Sequence, residues 1–139
     1  MSYRTSEEFD VRFGRTPQAN EDPLRGGRYA IESYLEYHGE KLVRRFDANT
    51  YIVLSEAMNT HDLGRGRGGL ESALASVQAR VTVIGLTSDR LYPLSQQEEL
   101  VKFLPTSDGL HVIDSLFGHD GFLLEADAIS PIVASALAN

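Results

Sequence analysis

The fold is decided by one stretch of β-branched and apolar residues, Arg80-Val81-Thr82-Val83-Ile84-Gly85-Leu86. This composition favours a β-strand, and its near-continuous apolarity is typical of a strand buried on both faces of a parallel sheet. Leu110 to Asp114 is predicted to be a second, shorter strand. Between them, Pro93 opens a predicted helix from Leu94 to Phe103. The order strand, helix, strand predicts a right-handed βαβ unit in an α/β fold.

Helical patterns flank this unit on both sides. A short helix is expected from Leu70 to Val77, and a closing helix from Phe122 to Ala138, broken at Pro131, follows a turn at Gly118 to Gly121. Two parallel strands cannot protect both edges of a sheet, and sheets usually have about four to six strands. We therefore expect an incomplete sheet. The other strands are either hidden in the first half or belong to sequence upstream of Met1.

The first half of the chain is predicted to be irregular and then helical. Residues 1–27 are rich in turn residues and are predicted to form an irregular arm. Apolar residues at helical spacing predict a helix from Arg28 to Phe46. Asp47 can cap a second helix from Ala48 to about Thr60, although Tyr51 to Leu54 alone could equally form a buried strand.

Composition excludes several classes of protein. A chain of 139 residues suits one ordinary domain, and its 13 basic and 20 acidic residues give a net charge of −7, which repels nucleic acid. No stretch approaches the roughly 18 apolar residues of a membrane span, and the polar, acidic N-terminus is not a signal peptide. The lack of cysteine excludes disulfides, zinc–thiolate sites and a cysteine nucleophile. We expect a cytoplasmic protein.

The most recognisable short motif is Gly64-x-Gly66-x-x-Gly69, which matches the dinucleotide-binding fingerprint G-x-G-x-x-G. Asp89, 20 residues beyond the last glycine, stands where an acidic ribose ligand is expected. The context does not fit, because a polar stretch at residues 59–62 stands where a strand is required. We interpret the motif as a flexible glycine loop.

The remaining histidines do not predict a metal site. His61-Asp62, with His38 upstream, suggests a His-Asp metal phosphohydrolase, but a second carboxylate cluster is missing. We interpret these three residues as surface or helix-capping residues. His111, inside the second strand, is predicted to be a core or edge residue rather than a ligand.

Asp89 and His119 form a stronger pair. Asp89 follows the first strand and His119 follows the second, so both fall at the carboxyl ends of neighbouring strands, where α/β proteins bind ligands. A carboxylate there can hold an imidazole in the tautomer that acts as a general base. This order, acid and then histidine, is that of the α/β-hydrolase triad. On placement alone, two unrelated turn residues are an equal alternative.

The triad's serine is not found in this chain. No serine lies in a G-x-S-x-G motif, and the nucleophile elbow of such a fold precedes these strands. The missing serine and the missing strands point to the same place. We therefore interpret the chain as the C-terminal part of a longer enzyme, with the elbow before residue 1.

Longer motifs resemble the homoserine O-acetyltransferases of the methionine pathway, most of all their actinobacterial members. The resemblance covers essentially all 139 residues. Its motifs, in order, are Asn20-Glu21-Asp22-Pro23, residues 28–37 (RYAIESYLEY), 41–49 (KLVRRFDAN), 55–69 (SEAMNTHDLGRGRGG), 87–93 (TSDRLYP) and 117–123 (FGHDGFL).

The resemblance implies the C-terminal portion of an α/β-hydrolase fold. Residues 1–62 are then a helical lid segment with its return connection, and residues 63–139 are the C-terminal part of the core. Asp89 and His119 become the second and third triad members, and Asp120 matches the position that binds the amino group of homoserine. Met1 looks like an internal methionine of the family.

The resemblance also implies a reaction and its partners. Acetyl-CoA, as co-substrate, would acetylate the absent serine, and L-homoserine would take the acetyl group, with no metal or bound cofactor. The family's dimers form through lid helices, which makes residues 28–58 candidate contacts of a homodimer. A related acyltransferase using succinyl-CoA or serine, a hydrolase of the same fold, and an inactive orphan fragment remain open. The chain alone is expected to be inactive.

Overall fold

The computed structural model describes residues 3–138, which form two compact units. One unit runs from Asp10 to Asp62, and the other combines the chain up to Phe9 with the chain from Leu63 onward. Met1, Ser2 and Asn139, at the ends of the predicted segments 1–62 and 63–139, lie outside the described residues. The assignment of those two segments as lid and core stays a prediction.

The N-terminal region contains a helix that the sequence analysis missed. α1 spans Ser6–Arg12, so the predicted irregular arm over residues 1–27 is wrong there. The Thr5 hydroxyl accepts a 3.1 Å hydrogen bond from the Glu8 amide, and Glu7 and Glu8 place negative charge in the first turn. Both features stabilise the start of a helix.

Two helices dominate the unit from Asp10 to Asp62. α2 spans Ala30–Arg45 and α3 spans Ala48–Asn59, which confirms both predicted helices. The Asp47 carboxylate caps α3 by accepting a 2.8 Å hydrogen bond from the Thr50 amide. The alternative strand at residues 51–54 is therefore wrong. Many apolar side chains of the two helices are more than half exposed: Leu35, Tyr37, Val43, Tyr51, Ile52, Val53 and Met58.

A cluster of ion pairs holds the loop before α2. The Arg28 guanidinium pairs with Glu21 and with Glu36, each at 2.5 Å. The Arg28 amide also donates to Glu21 at 2.8 Å. Hydrogen bonds from the side chain and the amide of Arg28 lower the pKa of Glu21 to about 2. The loop is thereby tied to the helix that follows it.

The other unit is built on two parallel strands. β1 spans Val81–Leu86 and β2 spans Ser107–Ile113, and the two strands pair directly. α5, Leu94–Phe103, connects them, and α4, Leu70–Ala75, precedes β1. The predicted βαβ unit is confirmed, with β2 beginning at Ser107 rather than at Leu110.

The core of this unit is small. Leu74 of α4, Val83 of β1 and Leu104 after α5 form its buried cluster. Within residues 3–138, six hydrophobic residues are buried: Ala73, Leu74, Val83, Leu86, Leu104 and Ile113. The sheet formed by these described residues has two strands, which agrees with the expected incomplete sheet.

The C-terminal helix is divided at Glu125 and not at Pro131 as predicted. After a 3-10 turn at Gly118–Asp120 come α6, Gly121–Leu124, and α7, Ala126–Ala138. The segments before and after Glu125 are bent by 67°. Pro131 lies inside α7, where it removes one amide donor without ending the helix. No single helix within residues 3–138 is both long and apolar enough to cross a bilayer.

Candidate active site

The loops after the two strands bring Asp89 and His119 together. Nδ1 of His119 lies 2.9 Å from Oδ2 of Asp89. β1 ends at Leu86 and the paired, parallel β2 ends at Ile113. The loops that follow the two strands therefore start at the same end of the sheet, where the carboxyl ends of the strands lie. The predicted contact is confirmed, while the catalytic roles of the two residues stay predictions.

Asp89 is held firmly by its own loop. The amides of Leu91 and Tyr92 donate to its Oδ1 at 2.8 and 3.0 Å, and its side chain is 7% exposed. Burial would raise the pKa of Asp89, but hydrogen bonds from the Tyr92 amide, His119 and the Leu91 amide hold it below its ordinary value. Asp89 is therefore an ionised hydrogen-bond acceptor at neutral pH.

The charge on Asp89 fixes the tautomer of His119. A carboxylate can only accept, so Nδ1 of His119 carries the proton of their hydrogen bond. In the neutral ring, Nε2 is then left with a lone pair and can take a proton from a nucleophile. This is the arrangement that a general base requires.

The backbone around His119 is anchored on both sides. The Gly118 amide donates to the Ser88 hydroxyl at 2.9 Å, and the His119 amide donates to the Tyr3 carbonyl at 2.8 Å. Gly118 has a φ of 60°, and a Cβ there would overlap the Tyr3 carbonyl. Glycine is required at this position by both conformation and space.

Asp89 and His119 line a cavity of about 440 Å³. Leu86, Tyr92 and Phe122 also line it. The ring centroids of Tyr92 and Phe122 each lie 5.2 Å from that of His119. The imidazole thus borders a largely apolar space, in which charged interactions are stronger than in water.

Asp120, the predicted ligand of a substrate amino group, is already engaged by a cation. Nε of Arg4 donates to its Oδ2 at 2.9 Å. The Asp120 side chain is 31% exposed, so it remains accessible beside His119. Arg4 is not among the residues predicted from the sequence, because 116 residues separate the partners and no local pattern connects them.

The glycine motif lies in a turn that closes on itself. The amides of Arg67 and Gly69 donate to the Gly64 carbonyl at 3.0 and 3.3 Å. A Cβ on Gly64 would stand 2.7 Å from backbone atoms of Gly69 and Leu70, which explains the need for glycine. α3, not a strand, precedes this turn. It therefore lacks the context of a dinucleotide site.

His38 and His111 lie on separate elements of the chain. His38 lies on α2 and packs against Tyr34, with ring centroids 4.4 Å apart and the ring planes tilted by 55°. His111 lies in β2, with Nε2 at 3.6 Å from Asp108. In the part of the chain that the structure describes, no group of three or more histidine, aspartate or glutamate residues could hold a metal ion.

Known proteins share this sequence over nearly its whole length. The chain is 56% identical over 137 residues to the homoserine O-acetyltransferase of Mycolicibacterium smegmatis, and 56% identical over 138 residues to that of Thermobifida fusca. Each alignment covers 99% of this chain. The chain is a homologue of the homoserine O-acetyltransferases. It spans 36% of the length of each of these two relatives.

A solved homoserine O-acetyltransferase structure shows the same fold. The enzyme from Bacillus anthracis matches with a TM-score of 0.75 at 22% identity, over 96% of this chain and 37% of that chain. At this identity the likeness concerns the fold alone. It confirms the predicted fold class, the C-terminal part of an α/β-hydrolase. No protein-family model matches the chain.

Proposed function

We propose that the chain is the C-terminal part of a homoserine O-acetyltransferase of methionine biosynthesis. This enzyme transfers the acetyl group of acetyl-CoA to the hydroxyl of L-homoserine. The hydrogen bond between Asp89 and His119 carries the proposal, because it joins the two residues that the family resemblance assigns to a triad. The 56% identity to the M. smegmatis relative over 137 residues supports it.

His119 serves as the base in two successive acyl transfers. First, it takes the proton of a serine hydroxyl, and the serine oxygen bonds to the acetyl carbon of acetyl-CoA. The carbon–sulfur bond breaks, and the departing thiolate takes that proton. Next, His119 takes the proton of the homoserine hydroxyl, whose oxygen attacks the acetyl-serine ester. The serine oxygen leaves and recovers the proton, while Asp89 stabilises each imidazolium.

The serine is assigned to a region outside this chain. The chain has no G-x-S-x-G motif, in which the nucleophile of this fold stands on a sharp strand-to-helix turn. Without a nucleophile, Asp89 and His119 have no hydroxyl to activate in the first transfer. The reaction therefore needs the rest of the enzyme.

Asp120 is proposed to bind the ammonium group of L-homoserine. It is adjacent to the proposed base in sequence, and its side chain is 31% exposed. A carboxylate and an ammonium group form a charge-assisted hydrogen bond that is both strong and directional. Asp120 would thus hold the acceptor so that its hydroxyl reaches His119.

The enzyme is further proposed to act as a cytoplasmic homodimer. Tyr37, Val43, Tyr51 and Met58 are among the exposed apolar side chains of α2 and α3, and they support an interface through these helices. Neither acyl transfer needs a metal or a prosthetic group, since the imidazole supplies the base and acetyl-CoA is a co-substrate.

A chimera tests this proposal. In it, the chain replaces the matching segment of the M. smegmatis relative, which supplies the rest of the enzyme. With acetyl-CoA and L-homoserine, we expect thiol release and O-acetylhomoserine, detected by mass spectrometry. A His119→Gln chimera is the matched control.

The other outcomes would each contradict the proposal in a different way. A preference for succinyl-CoA or L-serine would assign a related acyltransferase. Consumption of acetyl-CoA without transfer to an acceptor would assign a hydrolase. A folded chimera that releases no thiol would show that the chain is an inactive segment.

A further inference from the structure

A cluster of three charged side chains lies next to the Asp89–His119 pair in the chain's fold. Nε of Arg4 donates to Oδ2 of Asp120 at 2.9 Å, and Nη1 of Arg4 donates to Oε1 of Glu8 at 2.5 Å. The Arg4 and Glu8 side chains are 17% and 11% exposed, whereas that of Asp120 is 31% exposed. Two enclosed residues thus support a more accessible third.

The backbone fixes Arg4 relative to the loop that carries Asp120. The His119 amide donates to the carbonyl of Tyr3 at 2.8 Å. The hydroxyl of Thr5 donates to the Leu116 carbonyl at 2.5 Å. The residues on either side of Arg4 are therefore tied to the same loop. Arg4 can hold the Asp120 carboxylate in one orientation because its own position is fixed.

The Arg4 guanidinium is shared between two carboxylates, one on Asp120 and one on Glu8. Oε2 of Glu8 is buried and has no hydrogen-bond partner among residues 3–138. Glu8 therefore shares the Arg4 guanidinium through one oxygen, Oε1. A cationic group that reaches Asp120 would meet a carboxylate whose charge Arg4 offsets only in part, because Glu8 shares the same guanidinium.

We infer that Arg4 is a positioning residue for Asp120, and that Glu8, by sharing the guanidinium, keeps Asp120 negative enough to bind a cationic acceptor. The inference rests on the proposed function, in which Asp120 binds the ammonium group of L-homoserine. Without Glu8, Arg4 would neutralise Asp120 more completely. Without Arg4, the carboxylate would lose its fixed orientation.

The test uses variants of the chimera and measures the two acyl transfers separately. Glu8→Gln is expected to raise the KM for L-homoserine roughly tenfold, because it weakens the charge-assisted contact between Asp120 and the homoserine ammonium group. Thiol release from acetyl-CoA in the absence of homoserine should be unchanged. Arg4→Gln is expected to lower kcat/KM for homoserine similarly. Arg4→Lys should recover part of that loss, since lysine keeps the positive charge but lacks the planar guanidinium that donates to Asp120 and Glu8 at once.

Matched controls are available in the same unit. Glu7→Gln changes the exposed neighbour of Glu8, and Arg80→Lys changes an exposed arginine before β1. Both should leave both transfers unchanged. In an Asp120→Asn background, Glu8→Gln should have no further effect on the KM for homoserine, because the effect of Glu8 passes through Asp120.

The outcomes separate this inference from the proposed function. An active wild-type chimera whose KM for homoserine is unchanged by Glu8→Gln, and whose kcat/KM for homoserine is unchanged by Arg4→Gln, would overturn the inference alone. Equal losses in thiol release and in homoserine use would show a merely structural role and would also overturn it. A wild-type chimera that releases thiol but forms no O-acetylhomoserine would overturn the proposed function, and this inference with it.

Discussion

Nδ1 of His119 and Oδ2 of Asp89 lie 2.9 Å apart, although 30 residues separate them in the chain. β1 and β2 are paired and parallel, so the loops that follow them start at the same end of the sheet, beyond the carboxyl ends of both strands. The contact therefore needs only the βαβ unit and not a complete sheet. The chain spans only 36% of the length of its M. smegmatis relative, and it still holds Asp89 and His119 in hydrogen-bonding geometry.

Asp120→Asn is expected to separate the two acyl transfers. Loss of the carboxylate charge weakens binding of the homoserine ammonium group, so the KM for L-homoserine should rise by at least about tenfold in the chimera. Thiol release from acetyl-CoA, measured before steady state, should be unchanged. A normal KM for homoserine in this variant would refute the substrate-binding role.

Gly118→Ala is expected to displace the proposed base. Gly118 has a φ of 60°, and an added Cβ would overlap the Tyr3 carbonyl that holds the His119 amide. The matched control is Gly66→Ala, which has a φ of 72° but open space around its Cβ. The control should lose about 1–2 kcal/mol of unfolding free energy for its backbone alone.

The comparison of these two variants isolates the effect of the close approach. Gly118→Ala should lose more unfolding free energy than Gly66→Ala and should also lower kcat in the chimera, measured by thermal unfolding and steady-state kinetics. If the two variants lose the same unfolding free energy and Gly118→Ala leaves kcat unchanged, glycine is required at position 118 only for its backbone conformation.

Glu21→Gln is expected to change how stability depends on pH. Arg28 lowers the pKa of Glu21 in the folded chain to about 2, below its ordinary value of 4.5. A carboxyl group with a lowered pKa stabilises the folded state above its ordinary pKa, and this contribution is lost as pH falls toward 2. The melting temperatures of wild-type and Glu21→Gln chimeras should therefore differ most near pH 6, draw closer below about pH 4.5 and converge toward pH 2.

The exposed Glu99→Gln variant on α5 provides the baseline for this comparison. It should show no such convergence. A Glu21→Gln difference that stays constant from pH 6 to pH 3 would contradict the role given to the Arg28 ion pair.

The chain by itself is expected to be marginally stable. Its described residues bury only six hydrophobic side chains, and β1 pairs with a strand on one edge only. Ordering the backbone still costs roughly 1–2 kcal/mol per residue, and an open apolar edge promotes association. We expect a broad transition in calorimetry and oligomers in analytical ultracentrifugation. A sharp two-state transition from a monomer would contradict this account.

Sequence patterns predicted the elements whose signals are local. The helical spacing of apolar residues was enough for α2 and α3, Pro93 marked the start of α5, and the β-branched run was enough for β1. α1 was missed although Thr5 and Glu8 have the spacing of a capping box, because the turn residues around it dominated the interpretation. Pro131 was given too much weight, since the chain bends at Glu125 instead.

The candidate site was predictable only where it depends on elements that have local sequence signals. Strand order predicted that Asp89 and His119 could meet, because adjacent parallel strands end at one side of the sheet, and the structure decides against two unrelated turn residues. Arg4 was not predictable, since its partner Asp120 lies 116 residues away and pairs with it through tertiary packing. A contact of this kind leaves no periodic signal in a single sequence.

The most direct test of the central claim is the kcat of the chimera with His119→Ala, measured with acetyl-CoA and L-homoserine. His61→Ala, an exposed histidine after α3, is the matched control. If His119 is the base that Asp89 orients, its loss should lower kcat by at least about a thousandfold, while the control keeps wild-type activity. A folded His119→Ala chimera with kcat within about tenfold of wild type would contradict the claim.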